Sequence, residues 1–162
     1  MSENRRLVRT VLVSTLALLL SLGTAGVSNA ASAGKAGVFA CPQSGQRFQL
    51  SGDTTKRVYL VGPGPAAYAV PNETVYFQLW NTWDGISVWP RDTVSSCFGG
   101  VRTWSNAYLV RKDGTNAVYI YDSWAGAFRW IPDEATFNKY AFAWNKVLVV
   151  TYTPSPVGGF WS

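Results

Sequence analysis

Three carboxylates stand among aromatic residues in the second half of the chain: Asp122, Asp133 and Glu134. Two acids about 5–9.5 Å apart across a sugar ring are the machinery of a glycosidase, so hydrolysis would start from these residues. A simpler chemistry accounts for two of them. Asp133 and Glu134 follow Pro132 where a helix should begin, and an acid there caps a free backbone N–H and suits the positive helix end. The chain contains no histidine, which removes a Ser-His-Asp triad, a Cys-His pair and His-ligated zinc. Gly62-Pro63-Gly64-Pro65 reads as a turn, because its prolines lack the N–H donors a phosphate loop needs. The expectation is a non-enzymatic protein with no catalytic residue, no metal site and no cofactor.

Two residue types carry more information. Cys41 and Cys97 have no metal-type spacing, and such a pair in an oxidising compartment reads as a disulfide. The competing reading, a reactive thiol pair, lacks both a CxxC motif and a nearby histidine. The eight tryptophans exceed what a core of this size should need. Trp83 and Trp144 hold matched places in an internal repeat and are expected to be structural, and Trp130, inside a strand, to be core. Trp104 and Trp124 lie near turns and are the candidates for exposure. A loop tryptophan marks a protein interface or a sugar-stacking platform.

The N-terminus reads as a leader. Arg5, Arg6 and Arg9 precede the apolar run Val11–Gly23, and Ser28-Asn29-Ala30 offers small residues for cleavage after Ala30, the pattern of a secretory signal peptide over residues 1–30. A membrane anchor is the alternative, but the run is short for a bilayer about 30 Å thick. The expected mature protein is secreted and off the membrane. The whole chain carries a net charge of +5, and removal of the leader takes away three arginines and one glutamate. The remaining basic residues are scattered, which argues against nucleic acid as a partner. Residues 31–45 are rich in Ala, Gly and Ser and are expected to be flexible. Lys35 is the lone charge of their first part, and Val38 and Phe39 its large apolar residues.

The elements that position these side chains come from the repeat. Val58-Tyr59-Leu60, Tyr68-Ala69-Val70-Pro71-Asn72-Glu73, Tyr76 and Trp83 recur as Val118-Tyr119-Ile120, Arg129-Trp130-Ile131-Pro132-Asp133-Glu134, Phe137 and Trp144, an offset of about 60 positions. Short alternating runs separated by Gly/Asp and Gly/Pro turns predict a three-stranded meander in each copy. Pro71 and Pro132 stop the third strand, Asn72 and Asp133 cap a short helix, and Ile86–Trp89 or Lys146–Thr151 supplies a last strand. The fold expected is α+β and β-rich: two tandem β-β-β-α-β units, residues 46–105 and 106–162, packed as one globule because either alone buries too little surface. Val101–Asn106 reads as a short linker.

The pieces Ala107-Tyr108-Leu109-Val110, Arg129-Trp130-Ile131-Pro132-Asp133, Thr136-Phe137-Asn138-Lys139-Tyr140 and Trp144-Asn145-Lys146-Val147 resemble a repeat of secreted actinobacterial proteins. There a Tyr-Leu-Val strand, a Lys/Arg-Arg-Trp-Ile-Pro element, a Thr-Phe/Tyr helix and a Trp-Asn/Asp turn follow one another. The likeness spans residues 46–159. The first copy departs from it, since Ala67-Tyr68-Ala69-Val70-Pro71 lacks the basic pair. In size, secretion and layout the chain also resembles the small adaptor subunit of umbrella toxin particles of filamentous actinomycetes. That resemblance implies a protein-binding adaptor between a lectin-type subunit with a trypsin-like domain and the repeat arms of a large toxin subunit. It also implies that the N-terminal tail enters the trypsin-like cleft, with Lys35 as the side chain suited to a trypsin-like pocket. The alternative is a carbohydrate or cell-wall binding module that uses its loop tryptophans on a glycan.

Overall fold

The computed structural model describes residues 40–64 and 66–162. The leader and the tail with Lys35, Val38 and Phe39 lie outside the described residues. The first unit runs β1 (Arg47–Leu50), β2 (Tyr59–Val61), β3 (Ala67–Ala69), α1 (Glu73–Phe77), β4 (Ile86–Trp89), α2 (Arg91–Cys97) and β5 (Val101–Thr103). The second runs β6 (Leu109–Lys112), β7 (Val118–Asp122), β8 (Ala127–Ile131), α3 (Glu134–Lys139), a 3₁₀ turn at Trp144–Lys146, β9 (Val147–Val150) and β10 (Val157–Phe160). The result is a β-rich α+β fold built on two five-stranded sheets, ordered β4-β1-β2-β3-β5 and β9-β6-β7-β8-β10.

Each meander is antiparallel, and its turns use glycine where the backbone needs it. Gly64 has φ +64° in the β2–β3 turn, a conformation costly for a residue with Cβ. Gly62 is required by space instead: a Cβ there would lie 2.3 Å from the Tyr68 ring. Pro71 and Pro132 then end the third strand. Asn72 Oδ1 accepts the Val75 N–H at 3.0 Å, and Asp133 Oδ1 accepts the Thr136 N–H at 2.6 Å, so both predicted caps form as side-chain caps.

The helices send the chain back across the sheet. After α1 the chain reaches the far edge, where β4 pairs parallel with β1, and after α3 β9 pairs parallel with β6. A second crossover adds a strand that the sequence reading took as a linker. Val101–Thr103 is β5, parallel to β3, and β10 stands in the same relation to β8. Three residues with β-branched Val and Thr suffice for an edge strand once a partner is in place.

One core serves both units. Leu60, Tyr68, Val75, Tyr76, Leu79, Trp80 and Trp104 from the first pack in one buried cluster with Leu109, Ile120, Ile131, Phe137, Tyr140 and Trp161 from the second. Backbone and side-chain hydrogen bonds cross the junction: Ala143 N–H donates to Leu79 C=O at 2.9 Å, and Trp80 Nε1–H to Tyr140 C=O at 3.0 Å. A smaller cluster fills the opposite face of the first sheet, where Val94 and Phe98 at α2 cover Phe48, Leu50, Tyr59 and Ala69. Cys41 and Cys97 form the disulfide, Sγ–Sγ 2.01 Å, which pins the start of the described chain to the end of α2. Closing a loop of this length stabilises by about 4 kcal/mol in the chain-entropy model.

Candidate functional site

The three carboxylates are placed unlike a catalytic pair. Asp122 is fully buried and accepts from Trp104 Nε1–H at 3.0 Å, Trp124 N–H at 3.2 Å and Arg129 at 3.3 Å. Asp133 is held by its cap, and the Thr136 backbone N–H keeps its carboxyl below the usual range. Glu134 is solvent-exposed. Among the described residues no three His, Cys, Asp or Glu side chains converge to hold a metal, and no helix is long and apolar enough to cross a membrane.

The tryptophans sort differently from the sequence reading. Trp104, expected on the surface, is 0 % exposed. Its backbone N–H donates to Ala69 C=O, as the backbone N–H of Trp161 donates to Trp130 C=O. The two residues therefore hold equivalent places just after β5 and β10, and their rings meet in the core with centroids 5.8 Å apart. Trp104 is accordingly a core residue and not a partner contact in this fold. The equivalence was hidden because the second crossovers differ in length. Trp124 is 57 % exposed on the Asp122–Gly126 turn and lines a shallow cleft with Arg102, Gly99 and Gly100. Trp130, expected in the core, stands 37 % exposed on the outer face of the second sheet, its ring 5.2 Å from Phe160.

That outer face is the largest departure from the repeat. Residues opposite one another in a sheet share a face, and the registers align Leu148, Val110, Tyr119, Trp130 and Phe160 in one row across all five strands. The row spans about 19 Å at the usual strand spacing. In the first sheet the corresponding row is Ser87, Phe48, Tyr59, Ala69 and Thr103, polar at both ends and covered in the middle by α2. In the second sheet the row ends in exposed Leu148 and Phe160, and no helix follows β9. Pro154 and Pro156 occupy that connection, and two prolines so close preclude a helix. Val157 and Tyr152, at the start of β10 and just after β9, are also exposed. The sequence signal was present in Val147-Leu148-Val149-Val150, a run without alternation.

Trp83 and Trp144, expected to be purely structural, are half open. Trp83 stacks on Tyr76 at 3.9 Å and Trp144 on Phe137 at 3.8 Å, yet they are 45 % and 51 % exposed. Each lines a cleft with equivalent neighbours. The first, of 270 Å³, includes Lys56, Arg57, Pro71 and Glu73. The second, of 390 Å³, includes Asn116, Trp130, Pro132 and Glu134. The Trp83 turn is clamped by a residue that sequence reasoning passed over. Buried Arg47 donates to Thr82 C=O at 3.2 Å and Asp84 C=O at 2.5 Å, on either side of Trp83, and to the Tyr76 hydroxyl. Tyr76 OH in turn donates to Thr82 C=O at 2.6 Å.

No protein-family model, no curated protein and no solved structure matches this chain.

Proposed function

We propose that the chain is a secreted, non-enzymatic adaptor that joins larger secreted proteins, using the outer face of its second sheet as one docking surface. The observation that carries the reading is the contrast between the two outer faces. The first is sealed by α2, with Val94 and the C-terminal capping residue Phe98 settling on Phe48 and Tyr59. The second repeats the strand order, carries bulkier edge residues and has no helix of its own. The occupant that fits is a short amphipathic helix of a partner, presenting an aliphatic and an aromatic residue one turn apart as α2 does. Helix-in-groove recognition works through such anchors.

The disulfide suits an oxidising compartment, and the N-terminal pattern of residues 1–30 suits export. On the umbrella-particle resemblance, the partners are a lectin-type subunit and the repeat arms of a large toxin. The tail with Lys35, Val38 and Phe39 would then engage the first of these, leaving the sheet face for the second.

The test is co-purification of tagged protein from native culture supernatant, comparing the wild type with Leu148→Asp/Phe160→Asp. Both side chains are more than half exposed, so neither change buries a charge. The reading expects stoichiometric recovery of large secreted proteins with the wild type and loss of at least one from the variant. Recovery of the wild-type protein alone would overturn it.

A further inference from the structure

The two tryptophan clefts are not needed by the adaptor reading, and they are built to one plan. Each places an indole at a matched repeat position, one side packed on the aromatic residue of a short helix and about half its surface open. Each adds a proline and one exposed glutamate, Pro71 and Glu73 or Pro132 and Glu134. Packing alone explains the covered side of each ring. It does not explain why both copies keep the other side in water beside a cleft, since exposed indole surface gains nothing from the hydrophobic effect.

The charges around the clefts select the ligand. Lys56 and Arg57 outweigh Glu73 in the wall of the first, which would repel a cation. Asp133 and Glu134 line the second, which has no basic residue in its wall and would repel an anion. What both accept is a neutral group with one flat apolar side and hydrogen-bonding edges. A pyranose ring meets that description: its C–H face stacks on an indole, and its hydroxyls reach the glutamate and the Lys56 or Asn116 side chain. Glu73 is the one acid lining the first cleft, and in the second Asp133 is committed to a helix cap, so neither cleft holds two free acids for hydrolysis.

The clefts are also neighbours. Asn81 Nδ2 donates to Asn145 Oδ1 at 2.9 Å, joining the turn that carries Trp83 to the turn that carries Trp144. Chain geometry then limits the two tryptophan Cα atoms to about 22 Å apart. Sites this close on one body act together on a repeating ligand, because the second contact forms at high effective concentration.

We infer that Trp83 and Trp144 form a paired binding site for a neutral polysaccharide, a second activity distinct from the protein-docking sheet face. The test is native affinity electrophoresis of the full mature protein in gels containing hydroxyethylcellulose, glycol chitin, laminarin or xylan. Retardation by at least one is expected. Trp83→Ala and Trp144→Ala should each weaken it about tenfold and the double variant about a hundredfold or more, as loss of avidity requires, while Trp124→Ala leaves it unchanged. Each indole also covers a helix aromatic, so Glu73→Gln/Glu134→Gln, at exposed first-turn positions where the change leaves the Asn72 and Asp133 caps in place, gives a second reading: a several-fold loss. Absence of retardation on all four polymers overturns the inference. So does unchanged retardation in the double tryptophan variant, or binding to a polyproline peptide in place of the glycans. None of these results alters the sheet-face test, which uses different residues.

Discussion

Arg47 shows how much one side chain can settle here. It is buried, it sits over the rings of Tyr76 and Trp80, and its guanidinium bonds the carbonyls flanking Trp83. The register puts Leu109 at the corresponding place in the second unit, so the clamp exists once. Replacing Arg47 by Met keeps the stem and removes the donors, leaving the Asp84 carbonyl without its partner while Thr82 C=O keeps the Tyr76 hydroxyl. We expect Arg47→Met to cost about 2–3 kcal/mol in urea unfolding and to raise acrylamide quenching of tryptophan fluorescence. A variant as stable as the wild type would show that the turn holds itself. Nothing in the sequence marks Arg47, because its role depends on a strand register that places it against the Trp83 turn. The same limit hid Trp104. Read alone it is a loop tryptophan; only the strand before it reveals its match to Trp161.

At the level of elements, the meanders and both caps were legible because turn chemistry and strand alternation are local. Asp133 gives a pH test of that local chemistry. Its carboxyl is held below the ordinary value by the Thr136 N–H, so the folded state binds the carboxylate form better than the unfolded chain does. Its contribution is therefore complete above the unfolded value of about 3.9 and is lost as pH falls through the lower folded value. Asp133→Asn keeps a cap and should flatten this part of the acid limb in urea midpoints measured from pH 5 to 2; an unchanged limb would remove the cap from the account. The fifth strands and α2 were not legible. They belong to crossovers of different length, and a short edge strand is stabilised by its neighbour rather than by its own pattern. Their consequence is measurable. Phe98→Ala should cost about 3 kcal/mol or more, because Phe98 is buried against Phe48. Phe160→Ala, on the open face, should stay within about 1 kcal/mol. Equal losses would mean that the second face is covered within the monomer.

For the whole molecule, the shared core decides what can fold. Trp80, Trp104, Tyr140 and Trp161 come from both units and fill one cluster, so separating the units exposes the largest buried side chains of each. A fragment of residues 106–162 is expected to lack dispersed amide resonances and a cooperative melt, and a folded fragment would contradict the two-unit core. The same architecture explains how one chain offers dissimilar surfaces. The repeat supplies two equivalent tryptophan clefts, whereas α2, present in one copy and blocked by Pro154 and Pro156 in the other, leaves Leu148, Trp130 and Phe160 exposed on a face whose middle, at Val110 and Phe128, is buried.

The adaptor reading rests on those exposed residues, and a photo-crosslinking amino acid placed at Phe160 tests it most directly. The protein, added to native culture supernatant and irradiated, should give one dominant adduct with a larger secreted protein, mapped by mass spectrometry to an amphipathic helix. The same probe at Thr54, an exposed position of the first unit, should give none. A Phe160 probe that reacts only with water, or no more than the Thr54 control, would contradict the account.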